Sequence, residues 1–351
     1  MGFGDFQAIC QQSMVPLCSA IGPASAIEGT IGIEASCYAR NIEFANTIIF
    51  QGASSFMHIA ALIMTVIMIL HVRSKFTAVG RKEITAFFYI YMLLSFISLV
   101  LDSGVIPLGN NAYPYFVAAQ SGLTSALCIC LLINGFVGFQ LYEDGTSLSV
   151  WLLRTLTLVM FSITFLVALA TFKSWAGLSP TKTVGLFVML YLVPGVELLI
   201  YIVSQIFLVT NTLQDRWPLG DIAFGTFFFI VGQVILYFMS TTICDAAQHY
   251  LDGLFFATVC NLLAVMMVYK VCFSIRLILR SIITNLFTLQ YWDSITREDL
   301  EFSVGTKQNN WEVKELISED DRRNTVYQDS DYSNMYSHTQ RTRNSNYCAA
   351  F

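Results

Sequence analysis

Of the 351 residues, 55% are hydrophobic and only 12% are charged, with a formal net charge of −5. A soluble domain carries about 25% charged residues, so this composition, with its positive mean hydropathy, excludes an ordinary soluble protein and points to a chain that lives mostly in a bilayer. Residues 1–46 have neither the basic start nor the short apolar stretch of a cleavable signal, so the first spanning helix is expected to act as an uncleaved anchor. A transmembrane helix needs roughly 20 mostly apolar residues, because about 30 Å of hydrocarbon is crossed at 1.5 Å per residue. Seven runs of that length follow, at 47–70, 84–106, 115–141, 150–172, 184–209, 222–243 and 253–275. The fold class read from them is an all-α membrane protein, a seven-transmembrane helix bundle over residues 47–275.

Residues 276–302 form a juxtamembrane segment in which Ile282, Leu286 and Leu289 recur at helical spacing before Tyr291 and Trp292. This pattern predicts an amphipathic helix lying at the membrane interface, where aromatic rings prefer to sit. Residues 303–351 differ in kind. Six of them are Leu, Ile, Val or Phe and thirteen are charged, too little apolar surface to offset the entropy of ordering, so a disordered acidic C-terminal tail is expected.

Lys and Arg collect on the cytoplasmic side of short loops. With the N-terminus lumenal, the cytosolic connections carry Arg73, Lys75, Arg81, Lys82, Arg216, Arg276 and Arg280, against Arg40, Lys173 and Lys182 on the other side. The bias predicts a lumenal N-terminal segment (1–46) and a cytosolic C-terminus.

Catalytic machinery is hard to assemble from these residues. Four histidines, His58, His71, His249 and His338, are spread over a helix, two loops and the tail, whereas a metal cage needs several converging ligands. Asp245, His249 and Asp252 cluster in the last lumenal loop, where helix capping is the simplest role. The one Asp-x-Asp pair, Asp329 with Asp331, lies in the tail, with nothing to preorganise it. Gln214 to Trp217 falls one residue short of the Gln-x-x-Arg-Trp of processive glycan synthases, and no Gly-rich phosphate loop is present. No enzymatic activity, no metal, no cofactor and no nucleic-acid partner is expected.

Polar groups inside the spans are the remaining candidates, because charge at mid-bilayer is costly and faces the bundle interior. His58, Glu197, Gln233, Asn261 and Lys270 are of this kind, and Pro194 and Gly195 just before Glu197 predict a local break in the fifth span. They would serve either as a proton or substrate path or as a network that fixes helix register. Nine cysteines are present. Cys10, Cys18, Cys37 and Cys244 fall on the lumenal side or its boundary, where an oxidising compartment favours two disulfides in any of three pairings. Cys128, Cys130, Cys260 and Cys272 are small apolar packers. Cys348 opens a C-terminal Cys-Ala-Ala-Phe with the form of a prenylation signal, the alternatives being a terminal aromatic read by coat proteins or chance.

Several stretches together, Cys37-Tyr-Ala-Arg-Asn41, Gly80-Arg-Lys-Glu83, Asn134-Gly-Phe-Val-Gly-Phe-Gln-Leu-Tyr-Glu-Asp-Gly145, Asp215-Arg-Trp-Pro-Leu-Gly-Asp221, His249-Tyr-Leu-Asp-Gly253 and Tyr291-Trp-Asp-Ser-Ile-Thr296, resemble the fungal chitin synthase export chaperones. The resemblance runs from about Cys10 to Trp311. It implies a multi-pass, seven-span protein of the endoplasmic reticulum membrane that lets a chitin synthase fold, stay unaggregated and leave for the cell surface, and so supports cell-wall chitin synthesis. Physically, such a client exposes poorly packed helix faces that a partner bundle with small and polar faces can cover. The first span offers Gly52, Ala53, Ser54, Ser55, Ala60 and Ala61, and the third offers Ala118, Ala119, Ser121, Gly122, Ser125 and Ala126, unless these pack within the bundle itself. On the cytosolic side Asp215, Arg216, Trp217 and Pro218, with Trp292, Asp293, Glu298 and Asp299, are candidates for a client or partner interface, since Trp and Arg are favoured anchors. Membrane lipid is a further partner, and the tail carboxylates Glu319, Asp320 and Asp321 are candidates for contact with transport-vesicle coat proteins. The alternative reading is a seven-transmembrane receptor or small-molecule transporter with a polar site around Glu197 and His58.

Overall fold

The computed structural model describes residues 4–22, 32–37, 39–44, 47–74, 81–137, 146–175, 177–212 and 217–268. The N-terminal segment contains α1 (Gln7–Gln12), a 3-10 turn (Pro16–Ala20) and an antiparallel pair, β1 (Ile42–Phe44) with β2 (Thr47–Ile49), in which Ile42 faces Ile49. The bundle follows as α2 (Gly52–Ser74), α3 (Arg81–Asp102), α4 (Tyr113–Val137) and α5 (Ser147–Phe172). Two composite rods come next. One joins α6 (Val184–Phe187), a π-helical turn (Val188–Leu192) and α7 (Val193–Thr212), and the other joins α8 (Trp217–Val234), a second π-helical turn (Ile235–Met239) and α9 (Ser240–Ala246). The last described element is α10 (Gly253–Val268).

The chain is mostly helical, and six of these helices are long and apolar enough to cross a membrane, which makes it a multi-pass membrane protein. α10 is apolar but shorter, and the rest of the seventh run, 269–275, lies outside the described residues, as do the juxtamembrane segment and the tail. The first run differs from its expected form. It begins as strand β2, and Gln51, with a φ of +44°, turns the chain before α2 starts at Gly52. A left-handed residue cannot continue a right-handed helix, so helix formation starts five residues later than the apolar run.

Both faces of these helices are apolar, and the inward face is distinguished by size and shape. In α2 the exposed stripe is Ile59, Ile63, Val66 and Leu70, while Ala61, Thr65, Met68 and Val72 are buried at the same spacing. In α5 the buried stripe holds Leu153, Thr157, Thr164, Ala168 and Thr171, and Thr157 and Thr171 donate back to the carbonyls of Leu153 and Val167. Helices in lipid have no hydrophobic drive to associate, so close packing of small residues takes its place.

α4 is central, packing on α3, α5 and α7, while α10 packs on α8 and α2. Gly135 allows the α4–α7 approach, since a Cβ there would stand 2.7 Å from Gln205 Nε2 and 2.8 Å from Tyr201 Cδ2. Among the small residues of the third span, Ala118, Ser121, Gly122, Ser125 and Ala126 are buried within the protein's own bundle, so their surface is used internally. The break expected near Pro194 appears as the π-helical turn just before it. Proline lacks the N–H that would close the preceding turn, and π turns free a carbonyl. Ser125 Oγ of α4 donates to one of them, Met189 O, at 3.2 Å.

Candidate functional site

One end of the bundle is covered by the N-terminal segment, which forms a cap across the loops joining α3 to α4, α5 to α6 and α9 to α10. Phe6 is its apolar anchor, buried against Phe187 and Tyr191 with both ring centroids 5.8 Å away. Backbone groups of the cap find partners in the bundle. Thr183 Oγ1 donates to Gly4 O at 2.8 Å, Tyr113 Oη to Pro16 O at 2.8 Å, and Gly22 N to Pro180 O at 3.0 Å. Gln12 Nε2 donates to Phe238 O at 3.0 Å and to Thr241 Oγ1 at 3.1 Å. Phe238 sits in the second π turn, so the cap satisfies a carbonyl in an irregular stretch of helix. The same turn brings Tyr237 Oη within 3.0 Å of Tyr191 Oη in the first.

Two disulfides hold this cap. Cys10 is bonded to Cys18, eight residues on, and Cys37 to Cys244, 207 residues on. The first closes α1 against the 3-10 turn, and the second fastens the cap to the end of α9. Around the second bridge, Arg40 N donates to His249 O at 2.7 Å, and the Arg40 guanidinium lies 5.3 Å from the Tyr250 ring centroid. His249 Nδ1 stands 3.2 Å from Cys37 Sγ and 3.6 Å from Cys244 Sγ. Among the described residues these are the one group of three or more His, Cys, Asp or Glu side chains whose ligand atoms lie within 4.8 Å of one another. Zinc binds thiolates, however, and here the two sulfurs are bonded to each other.

The intramembrane polar candidates resolve into separate contacts. His58 Nε2 lies 2.9 Å from Asp102 Oδ2 at the end of α3, and Gln233 Nε2 approaches Asn261 Oδ1 at 3.5 Å between α8 and α10. Glu197 is buried on α7, and its Oε2 lacks a hydrogen-bond partner among the described residues. No hydrogen bond or ion pair among the described residues joins Glu197 to His58, so the structure does not assemble the two into one site.

Three other polar residues went unmarked as sites in the sequence. Asp102 was hidden at the end of an apolar run, with a lone carboxylate one helix away from His58 as its only signal. Gln205, 1% exposed, donates to Gly135 O at 3.1 Å and ties α7 to α4. Glu83 is buried at the opposite end of the bundle, where its Oε1 accepts from Ser149 Oγ at 3.0 Å. Asp252 caps α10, its Oδ1 accepting from Phe255 N at 3.1 Å. Burial pushes its carboxyl above the usual aspartate range.

Of the candidate interface, Trp217 and Pro218 open α8, while Asp215, Arg216, Trp292, Asp293, Glu298 and Asp299 lie outside the described residues, as do Lys270 and Cys348.

The arrangement is that of a capped helix bundle in which several polar groups join one element to another. The family model described as chitin synthase export chaperone matches residues 2–276. A chitin synthase export chaperone of Chaetomium globosum is 65% identical over 332 residues, covering 95% of this chain and 94% of its own. That of Neurospora crassa is 65% identical over 337 residues, 95% of this chain and 88% of its own. That of Aspergillus fumigatus is 64% identical over 345 residues, 97% and 98%. No solved structure matches the chain. With a family match over most of the sequence and relatives this similar along nearly their whole lengths, the chain belongs to the chitin synthase export chaperone family.

Proposed function

We propose that this protein is a client-specific, non-enzymatic membrane chaperone, required for a chitin synthase to fold and leave the endoplasmic reticulum and thereby for cell-wall chitin synthesis. The observation that carries the reading is the family match over residues 2–276 with relatives about 65% identical from end to end. The structure supports it by what the polar groups do. His58 is engaged by Asp102, and Gln233 by Asn261, as expected of groups that fix helix register. The receptor or transporter reading centred on Glu197 and His58 has no such support.

In this reading α10 continues beyond Val268 as the seventh span, the capped end faces the lumen and the acidic tail is cytosolic. An oxidising lumen preserves the Cys10–Cys18 and Cys37–Cys244 bridges. The client is held through the outward faces of the helices and the cytosolic residues Asp215, Arg216, Trp217, Pro218, Trp292, Asp293, Glu298 and Asp299. Trp and Arg in that set would serve as anchors.

Affinity purification of the tagged chain from mild detergent tests the proposal. A chitin synthase should be retained with it, and synthase made without the chain should migrate as aggregate. Synthase that stays monodisperse and never co-purifies would sink the idea.

A further inference from the structure

At the capped end, where α2, α3 and α10 meet, five buried oxygens lack a hydrogen-bond partner among the described residues: Gln51 Oε1, Ser54 Oγ, Ser55 Oγ, Asp102 Oδ1 and Asp252 Oδ2. All five side chains are more than nine-tenths buried. They come from different parts of the chain but share one place. Phe50 N donates to Ser103 O at 3.3 Å, which sets Gln51 beside the end of α3. Ser54 and Ser55 precede His58 by four and three residues and so share its face of α2. His58 in turn touches Asp102 at 2.9 Å. Asp252 caps the start of α10, its Oδ1 accepting from Phe255 N at 3.1 Å, and α10 packs with both other helices, Leu262 meeting Ala61 of α2 and Tyr91 of α3 in one cluster.

Buried polar atoms nearly always have partners, and unpaired ones mark a missing water or ion. Two features favour an ion. Every orphan is an oxygen, and among the described residues no Lys or Arg forms an ion pair with either carboxylate, His58 being the one basic partner, to Asp102. A buried carboxylate without a counter-charge is unstable unless it takes up a proton or a cation. Carboxylates, an amide carbonyl and hydroxyls form the donor set of a hard cation. Calcium, which accepts six to eight oxygens in flexible geometry, suits it better than magnesium, which demands a tight octahedron and keeps its waters.

We propose that this pocket binds a calcium ion through Asp102, Asp252, Gln51, Ser54 and Ser55, fastening the ends of α2, α3 and α10 to one another beneath the cap. His58 then acts as a positioning residue, holding one Asp102 oxygen so that the other faces the ion. The proposal is independent of the client reading, since it concerns the isolated chain.

The full chain in detergent, stripped with a chelator and dialysed against radioactive calcium, provides the test, with terbium luminescence as a second probe. One saturable ion per chain is expected, together with a higher unfolding temperature in calcium than in chelator. Asp252→Asn should weaken binding by roughly tenfold or more, because ligand charge sets calcium affinity, while preserving the helix cap, since Asn caps as well as Asp. Ser54→Ala provides a milder variant that keeps both carboxylates and should weaken binding several-fold, and Glu83→Gln, at the opposite end, should change nothing. Absence of bound calcium at about 1 mM, or binding that ignores both Asp252→Asn and Ser54→Ala, would overturn the proposal and leave the pocket to water or a proton.

Discussion

The two ends of the bundle are held by different means. At the capped end a disulfide links residues 207 positions apart, cap and bundle exchange at least five hydrogen bonds through Thr183, Tyr113, Gly22 and Gln12, and Asp102 and Asp252 are buried at the ends of α3 and α10. At the opposite end Met68, Val72, Ile84, Phe87, Phe88 and Leu153 form an apolar cluster, with the Glu83–Ser149 contact as a polar tie between α3 and α5. Apolar side chains gain little by leaving lipid for one another, so fixed geometry needs covalent or polar bonds, and the cap supplies them at one end. Among the described residues the opposite end combines its apolar cluster with buried polar groups, Glu83 and Asp221 among them.

The largest effect should come from cutting the long bridge. The stabilisation from a disulfide grows with the loop it closes, about 5 kcal/mol for the 207-residue separation and about 2.5 kcal/mol for the eight-residue one. Cys37→Ser should therefore lower the unfolding temperature in detergent more than Cys10→Ser does, and equal losses would remove the distinction between a bridge that fastens the cap and one that only shapes it. Next, Gly135→Leu forces a side chain into the α4–α7 contact, where Gln205 and Tyr201 already stand within 3.0 Å of a Cβ. Overpacking of this kind costs about 1–3 kcal/mol, and a variant that melts like the wild type would show that the helices are free to separate there. Glu83→Ala strands Ser149 and should cost about 1–3 kcal/mol, with faster hydrogen exchange confined to the starts of α3 and α5. Spread of that effect to the capped end would mean that the two ends are coupled.

A smaller effect depends on pH. The folded Asp252 carboxyl is raised above its ordinary value, so the native state binds that proton more tightly than the unfolded chain does. Its contribution is fully present below the unfolded value, about 4, and is lost as pH rises through the folded one. Asp252→Asn should flatten that part of the calcium-free stability profile, and an unchanged slope would assign it elsewhere. The smallest effect expected is none at all, in that Glu197→Gln should leave client export intact, as measured by synthase activity at the cell surface, whereas loss of export would return Glu197 to the centre of the mechanism.

Six of the seven expected spans were legible because hydrocarbon thickness imposes a length that an apolar run reveals. Pro194 and Gly195 likewise announced the irregular turn before α7. The four cysteines of the cap could be chosen from the expected topology, but not their pairing, because four thiols allow three arrangements and only the folded cap brings Cys37 to Cys244. The cap itself was illegible. Residues 1–46 show no helical or strand period long enough to read, and their anchors, Phe6 and Gln12, bind to loops and to a carbonyl freed by a π turn. Asp102 escaped notice for a related reason, since its partner His58 is 44 residues away and belongs to another helix.

The measurement that bears most directly on the function is the location of a fluorescently tagged chitin synthase in cells lacking this chain. The synthase should stay in the endoplasmic reticulum, and return to the surface when the wild-type chain or Glu197→Gln is supplied. Normal surface delivery in the absence of the chain would contradict the chaperone role outright.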